Sequence, residues 1–514
     1  MHVPAPATQC PVPPAADVVV VGAGAAGAVI AARLSAAAPG AVLVVEAGPD
    51  YRSAHTPPAV RGADVARVLA LSSLRWPRLR ARLTDRQPSR AYACGRGAGG
   101  SSAINGQLAV RGTPADFQAW AEAGCSGWSW SDVRPTFVHI EQDLDFGREP
   151  GHGFCGPVPV ARGSADRRGP VSTALYAAAT DLGYAEHPDV NADGSTGISP
   201  AAWHRRDGVR VSSNDSHLEP ARDRVAVVGD HTVARVLFAA GRVRAVELDA
   251  GDHREVVSTS AVVLCAGAVY SPTILLRSGI GPPGPLHALG IDIVAALPGV
   301  GAGLSDHPGV VLNLRLTDAA AARARAGDSG CYLLRTGSRP GTADDLQVLP
   351  LDRTVGPGAA GLMVSLMRPT STGALRLSSP APGDDPLLDL RLLADPGDLD
   401  RLGEAVRRAV ELLDHPALRG VVEGAPAVPR GDLDGWLLEN CQALYHPSGT
   451  CRMGRTDDTA TVVDVEGRVL GVDGLWVADA SVVPVPYGVP PYLSTVMVAE
   501  RLGAAITRRL RPEH

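Results

Sequence analysis

The sequence predicts an α/β fold with two differently built parts, and three observations carry that expectation. Val18 to Val21 is a continuous β-branched run, as a parallel strand buried on both faces requires, and it stops at Gly22, Ala23, Gly24, Ala25, Ala26 and Gly27. After a helical stretch, a second apolar strand from Ala41 to Val45 ends at Glu46 and Ala47. From about 310 to 440 the pattern changes to alternating segments, Ala374 to Ser378 and Leu387 to Leu392, followed by a helix from Leu399 to Leu413. The first part reads as a nucleotide-binding parallel sheet, the second as an antiparallel sheet backed by helices.

Each glycine of the first turn has its own task. Gly22 permits the tight bend, Gly24 lets backbone N–H groups approach a pyrophosphate, and Gly27 lets the next helix pack close to the sheet. The helix N-terminus then offers unpaired amides and a positive dipole end to an anion. Glu46 follows Gly27 by nineteen positions, where a carboxylate accepts hydrogen bonds from a ribose diol and disfavours a 2′-phosphate. Strand, glycines, helix, strand and acid together define a Rossmann-type dinucleotide unit.

Composition narrows the classes. The 514 residues can bury a large core, and a net charge of −6 without a long basic block argues against a nucleic-acid partner. All 48 basic residues are arginine, a composition bias that also excludes Schiff-base lysine chemistry and a Walker-type lysine. The eight cysteines have neither a CxxC pair nor zinc spacing, so no metal site is expected and a reduced cytoplasmic setting is the plain reading. The proline-broken N-terminus reads as a short lead-in rather than a signal peptide. No span approaches the roughly 18 uninterrupted apolar residues of a membrane helix.

Along the chain, residues 51 to 90 are polar and Arg-rich and read as a solvated surface excursion, with a lid over a cofactor or an acidic substrate as the alternative. Gly95 to Gly112 is a second glycine and serine cluster, in which Gly99, Gly100, Ser101, Ser102, Asn105 and Gly106 suit the edge of a bound cofactor. Trp120, Trp128 and Trp130 read as core. Residues 147 to 170 are rich in turn formers and are expected to wrap the surface between two lobes. Arg224 to Val228, Thr232 to Phe238 and Val243 to Leu248 read as one meander. Ala261 to Gly267 is a buried strand ending in a glycine turn, and Ser271-Pro272 is expected to open the helix that follows.

These motifs, in this order, resemble the glucose–methanol–choline (GMC) oxidoreductase family. Its first signature matches Gly95 to Gly112, its second matches Gly267 to Gly281, and its PGVGxxLxDHP element stands at Pro298 to Pro308. The HPxGTxxMG loop stands at His446 to Gly454, followed by Asp479, Ala480 and a helix from about Ser494 to Leu510. The resemblance implies an FAD-binding domain in three pieces (15–147, 205–308 and 441–514), a connecting surface segment (148–204) and a substrate domain (309–440). It implies noncovalent FAD, since Ile104 stands where some relatives carry a flavin-linked histidine. The implied FAD contacts are Gly22 to Gly27, Glu46, Ala47, Gly99, Gly100, Ser101, Asn105, Gly106, Val233 through its backbone, Ala266, Gly267, Asp479, Ala480, Pro491 and Tyr492. The C-terminal helix is expected to aim its N-terminus at the flavin.

The implied reaction is oxidation of a small-molecule alcohol to a carbonyl, with His446 as the base and an external electron acceptor; His307 is expected to be structural. Most members place a second histidine or asparagine ten residues before the glutamate of the C-terminal helix, and here that position is Pro490. Tyr492 is the candidate to take its place. Short stretches at Arg80 to Arg86, Leu144 to Phe146 with the following His152 to Pro157, and Ile104 to Gly106 are similar to mycofactocin-associated dehydrogenases, which implies electron transfer to a carrier or respiratory chain, with peripheral membrane association open. A lyase using FAD structurally and an oxidase using oxygen are the alternatives.

Overall fold

In the computed structural model, residues 11–510 are described apart from 39, 63, 164–166, 252, 325–329, 425 and 430. The first ten residues of the N-terminal lead-in lie outside the described residues.

The parallel sheet forms as its sequence requires. Five strands lie in the order Val225–Val228, Val42–Val45, Val18–Val21, Ala261–Leu264, Leu475–Val477, all parallel. Val18 to Val21 are buried on both faces at the centre of this order. The helix Ala25–Ala37 packs against the C-terminal helix Tyr492–Leu510, which closes the ends of the chain together.

Val225–Val228 is the edge strand of this sheet and not part of the meander expected from the sequence. The meander is instead Thr232–Ala239, Arg242–Asp249 and Arg254–Ser258. A β-bulge interrupts its register between Val233 and Arg235, just where Val233 meets the central cavity.

Ser271-Pro272 does not open its helix. The helix runs Gly267–Arg277, so Pro272 sits inside it and leaves the Ala268 carbonyl without its i+4 donor. Thr450 Oγ1 supplies the missing hydrogen at 2.7 Å, which ties this helix to the HPSGT loop. Ser271 Oγ accepts from the Ala266 amide and donates to Asp479, so both of its roles are also tertiary.

The antiparallel part is built on Pro308–Leu316, Ala359–Leu366, Leu346–Leu351 and Tyr332–Thr336, in that spatial order. Gly197–Pro200 extends one edge and Gln442–Ala443 pairs with Pro308 and Gly309 at the other side, so segments far apart in sequence join this sheet. The helix Pro396–Asp414 packs against it. The alternating segments Gly373–Arg376 and Leu387–Asp389 belong to a different, mixed sheet shared with Arg80–Arg82.

Residues 51 to 90 are not a solvated excursion. Tyr51, Val60, Val68 and Leu74 form a small apolar cluster with Ala98, Ala103 and Ile104, and Asp64, Leu69 and Trp76 line the cavity wall. Trp120 and Trp128 are core, their ring N–H groups donating to the Val485 and Val465 carbonyls.

Residues 147 to 170 contribute more than surface. His152 packs inside against Glu141, Asp143 and Asp189, with Arg111 and Arg162 completing the cluster. The three carboxylates raise the His152 pKa to about 11, so the ring is a cation among them. Glu141, Asp143 and His152 are close enough to suggest metal ligands. Two arginines and a protonated imidazole already neutralise the three acids, and the cluster reads as an internal ion-pair tie.

Candidate functional site

A single cavity of about 1050 Å³ runs from the Gly22 turn past Val233 to His446 and Tyr492. At one end two glycine turns nest against each other. A Cβ on Gly27 would stand 1.8 Å from the Gly22 carbonyl oxygen, and one on Gly100 would stand 2.7 Å from Gly24 Cα. Only glycine permits this approach, and it leaves the backbone of Gly24 and Ala25 lining the cavity at a helix start. The cradle thus fits an elongated dinucleotide with its pyrophosphate on these turns.

Glu46 ties this end together. Its carboxylate accepts from the amides of Ala23 (2.8 Å), Gly48 (2.8 Å) and Gly97 (2.7 Å), joining both glycine turns to the second strand while still lining the cavity. Asp479 plays the same part on the other side, accepting from the Gly267 and Ser481 amides and from both serine hydroxyls, Ser271 and Ser481. Ala47, Ala266, Ala480, Gly106, Ser101 and Pro491 also line the cavity, and Gly99 caps the turn with φ +85°.

Asn105 is held by residues the sequence did not single out. Its Oδ1 accepts from Arg210 (2.6 Å) and the Gln107 amide (3.0 Å), while His204, whose Nδ1 donates to the Val211 carbonyl (2.8 Å), places its Nε2 3.1 Å away. An arginine can only donate, so the carboxamide orientation is fixed and its Nδ2 has no partner among the described residues. Burial and Arg205 push the Arg210 pKa down to about 9, and burial first, then Arg210, pushes His204 down to about 3. No local pattern marks Arg210 or His204, because their partners lie about a hundred positions away.

At the other end, His446 stands half-buried on the cavity wall. Its Nδ1 lies 2.9 Å from Nδ1 of His307, whose Nε2 lies 2.8 Å from the Tyr487 carbonyl. A carbonyl can only accept, so His307 Nε2 carries a proton and, in a neutral ring, His307 Nδ1 is an acceptor. His446 Nδ1 must then be the donor, which leaves a lone pair on Nε2; that atom has no hydrogen-bond partner among the described residues. Burial holds His307 at about 4 and, with His307 beside it, holds His446 well below the ordinary histidine value. His307 is therefore more than a scaffold residue, since it fixes the tautomer of His446.

The backbone of this corner is held as firmly. Asp306 accepts from the amides of His307 (2.7 Å) and His446 (2.9 Å) and from the Tyr92 hydroxyl (2.5 Å). Tyr445 takes φ +61°, a sparsely populated conformation for a side-chain-bearing residue, immediately before His446.

Tyr492 begins the C-terminal helix and lines the cavity beside Pro490 and Pro491. Its hydroxyl lies 3.4 Å from Ser213 Oγ and its ring packs 4.2 Å from that of His204; no contact joins it to His446 among the described residues. Pro490 offers neither a side-chain donor nor an N–H.

Comparison with known proteins agrees with this geometry. The family described as GMC oxidoreductase matches residues 16–309 and again 369–499. A 5-(hydroxymethyl)furfural oxidase of Methylovorus sp. (strain MP688) is 34% identical over 95% of this chain and 98% of its own. An oxygen-dependent choline dehydrogenase of Rhizobium etli is 33% identical over 92% of each chain. The crystal structure of pyridoxine 4-oxidase from Mesorbium loti superposes with a TM-score of 0.87 at 29% identity, covering 97% of this chain and 100% of that one.

Proposed function

Because the chain belongs to the GMC oxidoreductase family and is an FAD-dependent oxidoreductase, we propose that it oxidises an alcohol to the corresponding carbonyl with His446 as the base. The observation that carries this reading is the proton order along Tyr487, His307 and His446, which leaves an unprotonated Nε2 on a ring that lines the cavity. A base contributes when its lone pair is available at the working pH, and burial keeps this imidazole neutral.

Bound FAD would supply the hydride acceptor for the carbinol carbon. The turns at Gly22 to Gly27 and Gly99 to Ser101 would hold its pyrophosphate, Glu46 its ribose, and Val233 its adenine edge. Asn105, Ala266, Gly267, Asp479, Ala480, Pro491 and Tyr492 would border the rest. The alcohol hydroxyl sits against His446 Nε2, which takes its proton as the carbon–hydrogen bond breaks. With Pro490 at the usual second position, His446 takes that proton without a second side chain of the usual kind. The 309–440 segment serves as substrate domain, and the 148–204 segment, expected as a connector, adds Gly197–Pro200 to the edge of its sheet.

The electron acceptor is proposed to be a carrier, on the short motifs shared with mycofactocin-associated dehydrogenases. A second reading, oxygen as the acceptor, is favoured by the relatives named as oxidases. Free thiols such as Cys94, Cys125, Cys265, Cys441 and Cys451 suit a reducing compartment, and no described helix is long and apolar enough to cross a membrane.

The test is an anaerobic panel of alcohols added to the FAD-loaded protein. The reading expects bleaching of the flavin with release of one equivalent of carbonyl product, and admission of air then separates the two acceptors. A flavin left oxidised by the whole panel would argue against alcohol oxidation. In the same assay Tyr492→Phe is expected to stay within about threefold of wild type, because its hydroxyl faces Ser213. A loss of tenfold or more, about 1.4 kcal/mol or greater, would place the phenol at the reacting oxygen.

A further inference from the structure

Part of the cavity wall is a β-sheet face, and its register decides what a substrate meets there. In Leu346–Leu351 alternate residues point to one side, so Gln347, Leu349 and Leu351 line the cavity together with Met363, which faces Leu349 across the ladder. Three of these four are apolar. Gln347 is the exception.

The residue is 2% exposed, and its Oε1 is enclosed without a hydrogen-bond partner among the described residues. Across the ladder Ser365, whose Oγ is also enclosed without a partner, is its paired neighbour. A buried amide oxygen left unpaired on an otherwise apolar wall is costly, and a hydrogen-bonding group of a bound ligand would remove that cost. The charge of that ligand group follows from the rest of the lining. Three carboxylates line the cavity, Glu46, Asp64 and Asp479. Glu46 and Asp479 are engaged by backbone amides at the dinucleotide end, and Asp64 by Arg67, so a cationic substrate finds no counter-ion beside Gln347.

Resting on the alcohol-oxidation reading above, we propose that Gln347 binds a second, neutral hydrogen-bonding group of the substrate. The substrate class is then a compact apolar or aromatic alcohol carrying a remote hydroxyl, carbonyl or ring heteroatom. Leu349, Leu351 and Met363 cover its apolar body while Gln347 fixes which end of the molecule reaches His446. Arg353 stands on the same rim but is exposed, so it meets solvent before it meets the wall.

The experiment compares kcat/KM of the FAD-loaded enzyme for furfuryl alcohol and for 2,5-bis(hydroxymethyl)furan. Wild type is expected to prefer the diol by at least tenfold, mainly through KM, and Gln347→Met, which keeps chain length, is expected to erase most of that preference. FAD content and melting temperature report whether the variant is folded. Wild type lacking the preference, or a folded variant that keeps it, overturns the assignment, and alcohol oxidation itself still stands. A preference for 5-(hydroxymethyl)furan-2-carboxylate that Arg353→Ala abolishes and Gln347→Met leaves alone also overturns it. If no alcohol bleaches the flavin, the oxidation reading falls. Titration of the flavin spectrum with the same furans then decides Gln347 by binding alone, the diol binding tighter to wild type than to the variant if the assignment holds.

Discussion

His446→Ala is expected to retain FAD and the fold while the rate of flavin reduction by an alcohol falls at least ~100-fold, the scale of a lost general base. Retention of the fold follows from the site's construction. The loop backbone is fixed by Asp306, which accepts from the amides of both histidines, and by Thr450, which is bonded to the Ala268 carbonyl; neither contact uses the imidazole. What disappears is the lone pair on Nε2, the acceptor for the hydroxyl proton. His307 does not line the cavity, so the Nδ1 lone pair it gains in this variant is not placed to take that proton. An unchanged reduction rate in a variant with full FAD occupancy would remove His446 from the chemistry.

Glu46→Ala is expected to weaken FAD binding by roughly 10- to 100-fold, in line with about 1.5–3 kcal/mol for hydrogen bonds to a charged group. The effect has two expected sources. On the proposed placement the ribose would lose its carboxylate, and the amides of Ala23, Gly48 and Gly97 lose the acceptor that holds the two glycine turns together. The apoprotein should therefore melt at a lower temperature as well. Unchanged FAD affinity, measured by equilibrium titration of the apoprotein, would place the ribose elsewhere.

The parts of this molecule legible in the sequence are those set by local rules. The strand Val18–Val21, the glycine turn and the helix after it are fixed by burial period and by backbone conformations that glycine alone tolerates cheaply. Tertiary facts were misread. Val225–Val228 looked like the start of a meander because its neighbours in sequence are strands, yet its partner, Val42–Val45, lies nearly two hundred residues away. Pro272 looked like a helix start because a proline normally costs an interior hydrogen bond, and the compensating donor, Thr450, comes from another segment.

The site divides the same way. His446 and the glycine cradle were marked by motif. The elements that prepare them, His307 for the tautomer, Asp306 for the loop, and Arg210 with His204 for Asn105, meet only after folding. Residues 51 to 90 carry enough arginine to mimic a solvated face, while Tyr51, Val60, Val68 and Leu74 supply the few apolar contacts that dock the segment over the cavity.

The central claim is that His446 presents a neutral Nε2 to the substrate, and the pH dependence of the limiting flavin-reduction rate tests it most directly. Protonation of Nε2 removes the base, so the rate must fall on the acid side. Because burial and His307 hold the pKa of His446 well below 6.5, the acid limb should lie below that value and the rate should be flat from there through neutral pH. The limb should vanish in His446→Ala, whose residual rate has no titrating base. A limb centred at pH 7 or above, or one that persists unchanged in His446→Ala, would contradict the account.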